Sequence, residues 1–202
     1  VARTQWGIAL VQLGDLPGGL AQLERSRDIS HALGDAQKES DALIDIGIVH
    51  NMLGDDARAI QLYQQALPVY EANGDRYHTA TCLNNMAYAH VCWGERVLPE
   101  RPDEARGHFA RAAELAAQAL PLARACDHID FVATCLNTLS QAQRLGGDLD
   151  ACMATLREQL AISGQLVSRR MEAVCQSTLA EALLARDHDG DLAEAVRLLQ
   201  VA

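Results

Sequence analysis

Leu13-Gly14-Asp15 recurs as Leu33-Gly34-Asp35 and as Leu53-Gly54-Asp55, and Asn73-Gly74-Asp75 continues the series at the same spacing. Glycine ends a helix at low cost because it adopts the left-handed backbone conformation without a Cβ clash. The aspartate that follows accepts hydrogen bonds from the free N–H groups at the start of the next helix. Each Gly-Asp pair therefore predicts a boundary between two helices, with room for one helix between successive boundaries.

The composition favours helices and argues against several kinds of partner. Of the 202 residues, 49% are hydrophobic and only 4% are aromatic, and alanine and leucine supply most of the apolar content. Such a composition suits closely packed helices better than strands. The formal net charge of −10 disfavours nucleic acid and anionic lipid as partners, since both require a basic surface. We expect an all-α protein with a peptide or protein partner, preferably a basic one.

The sequence also bears on location. It contains no run of about 20 apolar residues, the length needed to cross a bilayer. Its start lacks the basic-then-apolar order of a secretion signal. We therefore expect a cytoplasmic protein without a membrane anchor. Because the sequence begins at Val1 and ends at Ala202 within apolar helical patterns, we expect it to be part of a longer protein.

Glycine spacing predicts a repeat of two helices. The intervals are 40, 40, 53 and 43 residues between Gly14, Gly54, Gly94, Gly147 and Gly190. The long interval predicts an insertion at residues 95–103, which is either a contact site or, as is more common, a tolerated surface insertion. Pro102 followed by two acidic residues predicts the start of the next helix. One repeat domain is expected, with copies at 1–35, 36–75, 76–127, 128–167 and 168–202.

Within the second copy, apolar and small residues fall at helical spacing on one face of each helix. The first helix contributes Leu43, Ile46, Gly47 and His50, and the second contributes Ala59, Tyr63, Ala66 and Leu67. The third copy repeats the first set as Leu83, Met86, Ala87 and His90.

This pattern resembles the tetratricopeptide repeat (TPR) family, in which small residues let the two helices of a hairpin approach closely. The period exceeds the family's usual length of about 34 residues. It resembles the longer variant found in bacterial signalling and transcription regulators and in kinesin light chains. The resemblance implies a right-handed superhelical solenoid of about five antiparallel helix pairs.

No residue pattern indicates catalysis, and we expect neither an enzyme nor a cofactor or metal site. Cys82, Cys135 and Cys175 share one slot in successive copies, so we interpret them as small buried hydrophobes. His50 and His90 also share a slot and are expected to pack in the hairpin. The acidic stretch at residues 187–191 lacks the later glutamate of a calcium loop and predicts a solvated turn that caps a helix.

The resemblance implies that the first helices of the pairs line the inside of a groove. Residues off the stripe that faces the hairpin are the candidate ligand contacts. They are Asp45, Ile48, Asn84, Asn85, Tyr88, Asn137, Thr138, Gln141 and Arg144. Amide side chains both donate and accept hydrogen bonds, so they can hold the backbone of an extended peptide. A solvated wall that binds nothing would also be polar, and this alternative stays open.

We therefore expect a non-catalytic scaffold that binds an extended peptide or a partner protein in this groove. Such a scaffold would be the sensory or interaction module of a cytoplasmic regulator. The alternative is a structural module in which two copies pair as a homodimer through apolar ends. The residues concerned are Ile8, Leu10 and Val11 at one end and Val196, Leu198 and Leu199 at the other.

Overall fold

The computed structural model describes residues 2–165 and 169–201, which form ten α-helices and no strand. The helices are α1 (Ala2–Gln12), α2 (Leu16–Ala32), α3 (Ala36–Met52), α4 (Asp56–Ala72), α5 (Arg76–Val97), α6 (Pro102–Arg124), α7 (Ile129–Gly146), α8 (Leu149–Gln165), α9 (Arg169–Arg186) and α10 (Asp191–Val201). Each helix packs mainly against its neighbours in sequence. The predicted all-α array of helix pairs is confirmed. The expected junction between the copies 128–167 and 168–202 lies outside the described residues.

The Gly-Asp boundaries end and start helices as predicted. Six glycines have φ between 66° and 92°, and each is followed by aspartate. They are Gly14, Gly34, Gly54, Gly74, Gly147 and Gly190. At the first four boundaries the aspartate accepts a hydrogen bond from the backbone N–H three residues later, at 2.9 to 3.2 Å. These bonds satisfy N–H groups that have no partner within the helix.

Gly94 keeps the 40-residue spacing of the boundary glycines, but no helix ends there. Helix α5 continues through it to Val97, and Gly94 is buried against Phe109 of α6. A Cβ at Gly94 would lie 2.5 Å from Cε1 of Phe109, closer than two carbon atoms can approach. Gly94 therefore lets two helices pack closely. Gly47 has the same role on α3, where a Cβ would lie 2.6 Å from Cε1 of Tyr63.

The insertion at residues 95–103 lengthens both helices of the third pair. Helices α5 and α6 have 22 and 23 residues, whereas α3 and α4 each have 17. Helix α6 begins at Pro102, as predicted. The added turns have a small core of their own in which Val97, Ala105 and Phe109 pack together. Residues 95–97 and 102–103 of the insertion are therefore helical, Val97 is its buried residue, and the turn at 98–101 separates α5 from α6.

Two arginines tie successive helix pairs together at one edge of the array. Arg96, in the added turn of α5, forms an ion pair with the buried carboxylate of Asp56 at the start of α4. Arg186, at the end of α9, pairs with Asp150 near the start of α8 at 2.6 Å. In both cases the end of a first helix reaches the start of the second helix of the preceding pair.

The apolar core runs without interruption from α2 to α7, and a second cluster joins α8, α9 and α10. Cys82, Cys135 and Cys175 are buried, as predicted for their shared slot. Burial raises the pKa of both Cys82 and Cys135 to about 12, so these thiols stay protonated at neutral pH. A protonated buried thiol is a poor nucleophile, which fits a packing role.

Candidate binding surface on the first helices

The predicted contact residues lie on the first helices α3, α5 and α7, and α5 packs against both of the others. Polar and apolar side chains at helical spacing follow one face of each helix. We call this face the inner row and define it by Asp41, Asp45 and Ile48 on α3, Thr81, Asn85 and Tyr88 on α5, and Thr134, Asn137 and Gln141 on α7. Because the three helices are neighbours, the row crosses the array from one pair to the next.

Ile48 and Tyr88 are the most accessible of the predicted contacts, at 39% and 45% exposure, and they occupy the same slot of successive copies. Gln141 has that slot on α7 and is half-buried, as are Asp45, Asn85, Asn137 and Arg144. Two exposed apolar side chains on α3 and α5 therefore lie beside half-buried amides on α5 and α7.

Asn84 and Thr138 are buried, with only 4% and 3% of their surfaces exposed. The Thr138 hydroxyl donates to the backbone carbonyl of Thr134 at 3.3 Å, so its hydrogen bond is internal. Asn84 Oδ1 and Arg144 Nε are buried and have no hydrogen-bond partner in the described part of the chain. A ligand could reach Asn84 only if its neighbours moved, whereas Asn85 and Asn137 need no such change.

Two carboxylates stand one helical turn apart on α3. The Tyr70 hydroxyl donates to Asp41 Oδ1 at 2.7 Å, which fixes that carboxylate. Burial, and then the charge of Asp41, raise the pKa of Asp45 to about 6. A cation placed beside Asp45 would offset the charge of Asp41 that acts on it. Residue Asp41 was not among the predicted contacts, although it lies four residues before Asp45 on the same face.

An aromatic cluster lies at the start of α5. Tyr77 is 41% exposed and its ring centroid lies 5.0 Å from that of Phe131 and 5.6 Å from that of His128. Sequence reasoning also missed Tyr77, although it lies on the face of α5 that carries Thr81, Asn85 and Tyr88. The cluster joins α5 to α7 at one end of the inner row.

His50 and His90 lie in their hairpins, as expected. His90 Nδ1 lies 2.9 Å from His108 Nδ1, and the Trp93 ring stacks on His108 at 4.4 Å. Burial, and then the nearby His108, lower the pKa of His90 to about 4, so this pair is neutral at pH 7. His50 contacts Asp55 at 3.4 Å.

The acidic stretch at residues 187–191 is a structural turn, but its last aspartate is not solvated as the sequence predicted. Asp191 is 4% exposed, and both of its carboxylate oxygens accept hydrogen bonds from Arg186, at 2.6 and 3.0 Å. Its Oδ2 also accepts from the backbone N–H of His188 at 2.9 Å. Within residues 2–165 and 169–201 no three His, Cys, Asp or Glu side chains are placed to hold a metal ion.

Comparison with known proteins gives one sequence match and several structural ones. A model of the tetratricopeptide repeat family matches residues 1–72. No curated protein sequence matches the chain. Each helix of the described part is too short or too polar to span a bilayer.

Three solved structures illustrate the likeness of the fold. TPR-like repeats of a Podosopora anserina protein named for kinesin light chain superpose with a TM-score of 0.75 at 14% identity, over 99% of this chain and 92% of that one. A thermophilic TPR protein of Thermus thermophilus gives 0.64 at 20% identity, over 100% and 90%. The signal-transduction ATPase with numerous domains (STAND) of Pyrococcus horikoshii, which has a TPR sensor, gives 0.72 at 16% identity, over 91% of this chain and 27% of that one.

These identities establish the fold alone, and the family match covers residues 1–72 of the 202. Tetratricopeptide repeats generally act as non-catalytic scaffolds that bind other proteins. The chain thus has the fold of solved TPR-like repeat structures over its described length, and its residues 1–72 match the tetratricopeptide repeat family.

Proposed function

We propose that the inner row binds an extended peptide segment of a partner protein. The observation that carries the proposal is the slot shared by three neighbouring helices, where Ile48 and Tyr88 are exposed and Gln141 is half-buried. Half-buried Asn85 and Asn137 flank this slot and offer both donors and acceptors to a peptide backbone. An extended chain that crosses the three helices would place apolar side chains on Ile48 and Tyr88.

The charges of the row favour a peptide with a basic residue. Asp41 and Asp45 bring two carboxylates to α3, and the raised pKa of Asp45 means that its charge is costly in the free protein. A lysine or arginine of the ligand would remove that cost. The formal net charge of −10 supports the same preference through long-range attraction.

In this proposal the chain is a non-catalytic sensory or interaction module of a cytoplasmic regulator. The STAND protein offers the parallel, because its tetratricopeptide repeats are described as a sensor within a larger signalling ATPase. Binding of the peptide would then be the input of the regulator. The gene sequence around this segment would test this role, since a regulator requires an output domain in the same protein.

The experiment is a selection followed by matched variants. Peptides selected from a randomised 12-residue phage library would be labelled and their affinity measured by fluorescence anisotropy. We expect Ile48→Ala with Tyr88→Ala to weaken binding at least tenfold, which corresponds to about 1.4 kcal/mol. Ile29→Ala is the control, because Ile29 is similarly exposed at 47% but lies on α2. An equal loss in the control, or no loss in the test variant, would overturn the proposal.

Pairing of two copies is a second candidate, and one end of the array favours it. Helix α10 exposes Leu192, Val196 and Leu199 at 67%, 45% and 53%, at a spacing that puts them on one face. At the other end Ile8 and Val11 pack against the core instead. We expect light scattering to show a dimer at high concentration that Leu199→Glu abolishes. A monomer throughout the concentration range would remove this candidate.

A further inference from the structure

A groove lies on the side of α5 that faces away from the inner row. Thr79, Leu83 and Met86 of α5 form its floor, and α4 and α6 form its two walls. Leu83 precedes Asn85 by two residues, which places the two about 200° apart around the helix. The groove has a volume of about 720 Å³. Its floor is apolar, so its specificity must come from the walls.

Each wall contains a proline inside a helix. Pro68 of α4 and Pro121 of α6 end the same four-residue run, Gln-Ala-Leu-Pro, in the second helices of successive copies. Proline has no N–H, so the carbonyl four residues earlier loses its helical donor. These carbonyls belong to Gln64 and Ala117, and both residues line the groove, one on each wall.

Charged side chains also lie on the two walls that carry the carbonyls of Gln64 and Ala117. Glu71 on the α4 wall forms no salt bridge with any residue that the structure describes. Arg111 on the α6 wall already pairs with Glu114 of its own helix at 2.9 Å. The groove therefore combines an apolar floor, two backbone acceptors and an uncompensated carboxylate.

We propose that this groove is a second binding surface, separate from the inner row, for a peptide that pairs a leucine-like side chain with an arginine. The apolar side chain lies on Leu83 and Met86. The guanidinium, which has five N–H donors and no acceptor, donates to the free carbonyls of the walls and is attracted by Glu71. A glutamate-bearing peptide offers no such donors and is repelled by the same groups.

The probe is a 12-residue amphipathic peptide of leucine, alanine and arginine, and its counterpart carries glutamate in place of arginine. Occupancy is followed in the full chain by NMR of ¹³C-methyl methionine. Of the four methionines, Met86 reports on the groove, and Met52 and Met153 serve as internal references. We expect the arginine peptide to shift the Met86 resonance and the glutamate peptide to leave it unchanged. An unshifted Met86, or equal shifts with both peptides, would overturn the proposal.

Pro68→Ala combined with Pro121→Ala tests the role of the free carbonyls. Alanine restores the two N–H groups, which take up the carbonyls of Gln64 and Ala117. We expect the melting temperature to rise and the affinity for the arginine peptide to fall at least fivefold. Pro17→Ala is the matched control, because Pro17 lies in the first turn of α2, where an N–H has no helical acceptor. Unchanged affinity in the double variant would refute the assigned acceptors.

Two further variants separate this surface from the inner row. Glu71→Gln should weaken the arginine peptide without affecting folding, since Glu71 is exposed. Ile48→Ala with Tyr88→Ala should leave the Met86 shift intact, so the groove can be tested even if the inner row binds nothing. Loss of the Met86 shift in that variant would place the peptide on the inner row and overturn the proposal.

Discussion

Gly94→Ala is the sharpest test of how the third helix pair packs. The new Cβ would lie 2.5, 2.9 and 3.0 Å from Cε1, Cδ1 and Cζ of the fully buried Phe109 ring. Overpacking of this kind costs about 1–3 kcal/mol. Alanine in a helix interior returns about 0.5–1 kcal/mol relative to glycine. We therefore expect a net loss of up to about 2.5 kcal/mol in the free energy of unfolding, measured by urea denaturation.

Gly107→Ala is the control for helix propensity. Gly107 lies inside α6, and a Cβ there would meet no atom within 4 Å, so we expect a gain of about 0.5–1 kcal/mol. Phe109→Leu is the second variant in the experiment, because it removes the ring that the new methyl group would contact. In that background Gly94→Ala should cost at least about 1 kcal/mol less than in the original protein. Equal effects of Gly94→Ala and Gly107→Ala would refute the packing argument. So would a cost of Gly94→Ala that is the same in the Phe109→Leu protein as in the original one.

Three further predictions concern charges. The pKa of Asp45 is about 6 in the folded protein, against an ordinary value of 3.8, so the folded state holds the carboxyl proton more tightly than the unfolded state does. The free energy of unfolding therefore falls as the pH rises from about 4 to 6. Asp45→Asn should therefore stabilise the protein at pH 7 by about 2 kcal/mol and have little effect at pH 4, by urea denaturation; an equal effect at both would contradict this. The pKa of His90, about 4 against 6.5, means that stability is complete above pH 6.5 and is lost as pH falls toward 4. His90→Gln should reduce the drop in melting temperature between pH 7 and pH 5, and an unchanged drop would count against the burial of this ring. Arg96→Ala leaves the buried Asp56 carboxylate with only the amide of Asn51, which donates to it at 2.6 Å, and should cost about 1–3 kcal/mol in urea denaturation. Adding Asp56→Asn should recover most of that loss, and no recovery would reject the ion pair as its cause.

The sequence predicted the helix boundaries wherever glycine and aspartate occur together. At Gly14 and Gly54, for example, the left-handed glycine and the capping aspartate both appear in the structure. Spacing alone does not show why Gly94 is a glycine. The boundary glycines are needed for a left-handed backbone and Gly94 for a close helix contact, yet both kinds occur at the same 40-residue spacing. The residue that follows distinguishes them, since Gly94 precedes Glu95 and the boundary glycines precede aspartate.

The candidate site was harder to predict because burial depends on how neighbouring helices pack. Periodicity placed Asn84 and Asn85 on adjacent positions of one helix, but only packing decides that Asn84 is enclosed and Asn85 is half-buried. The same limit concealed Asp41, whose contact with Tyr70 joins residues 29 positions apart. The wall prolines were visible in the sequence, whereas the groove exists only once α4 and α6 pack on either side of α5.

The arginines at the ends of α5 and α9 have a mechanical consequence. Each joins two successive pairs at the edge of the array, away from the apolar core. A pull along the long axis would stretch these links before it separated the packed helices. The Arg186–Asp150 pair has an exposed carboxylate and weakens as ionic strength rises, whereas the pair at the buried Asp56 carboxylate is screened much less. We therefore expect concentrated salt to loosen the joint between α8 and α9, while the joint between α4 and α5 keeps its stiffness.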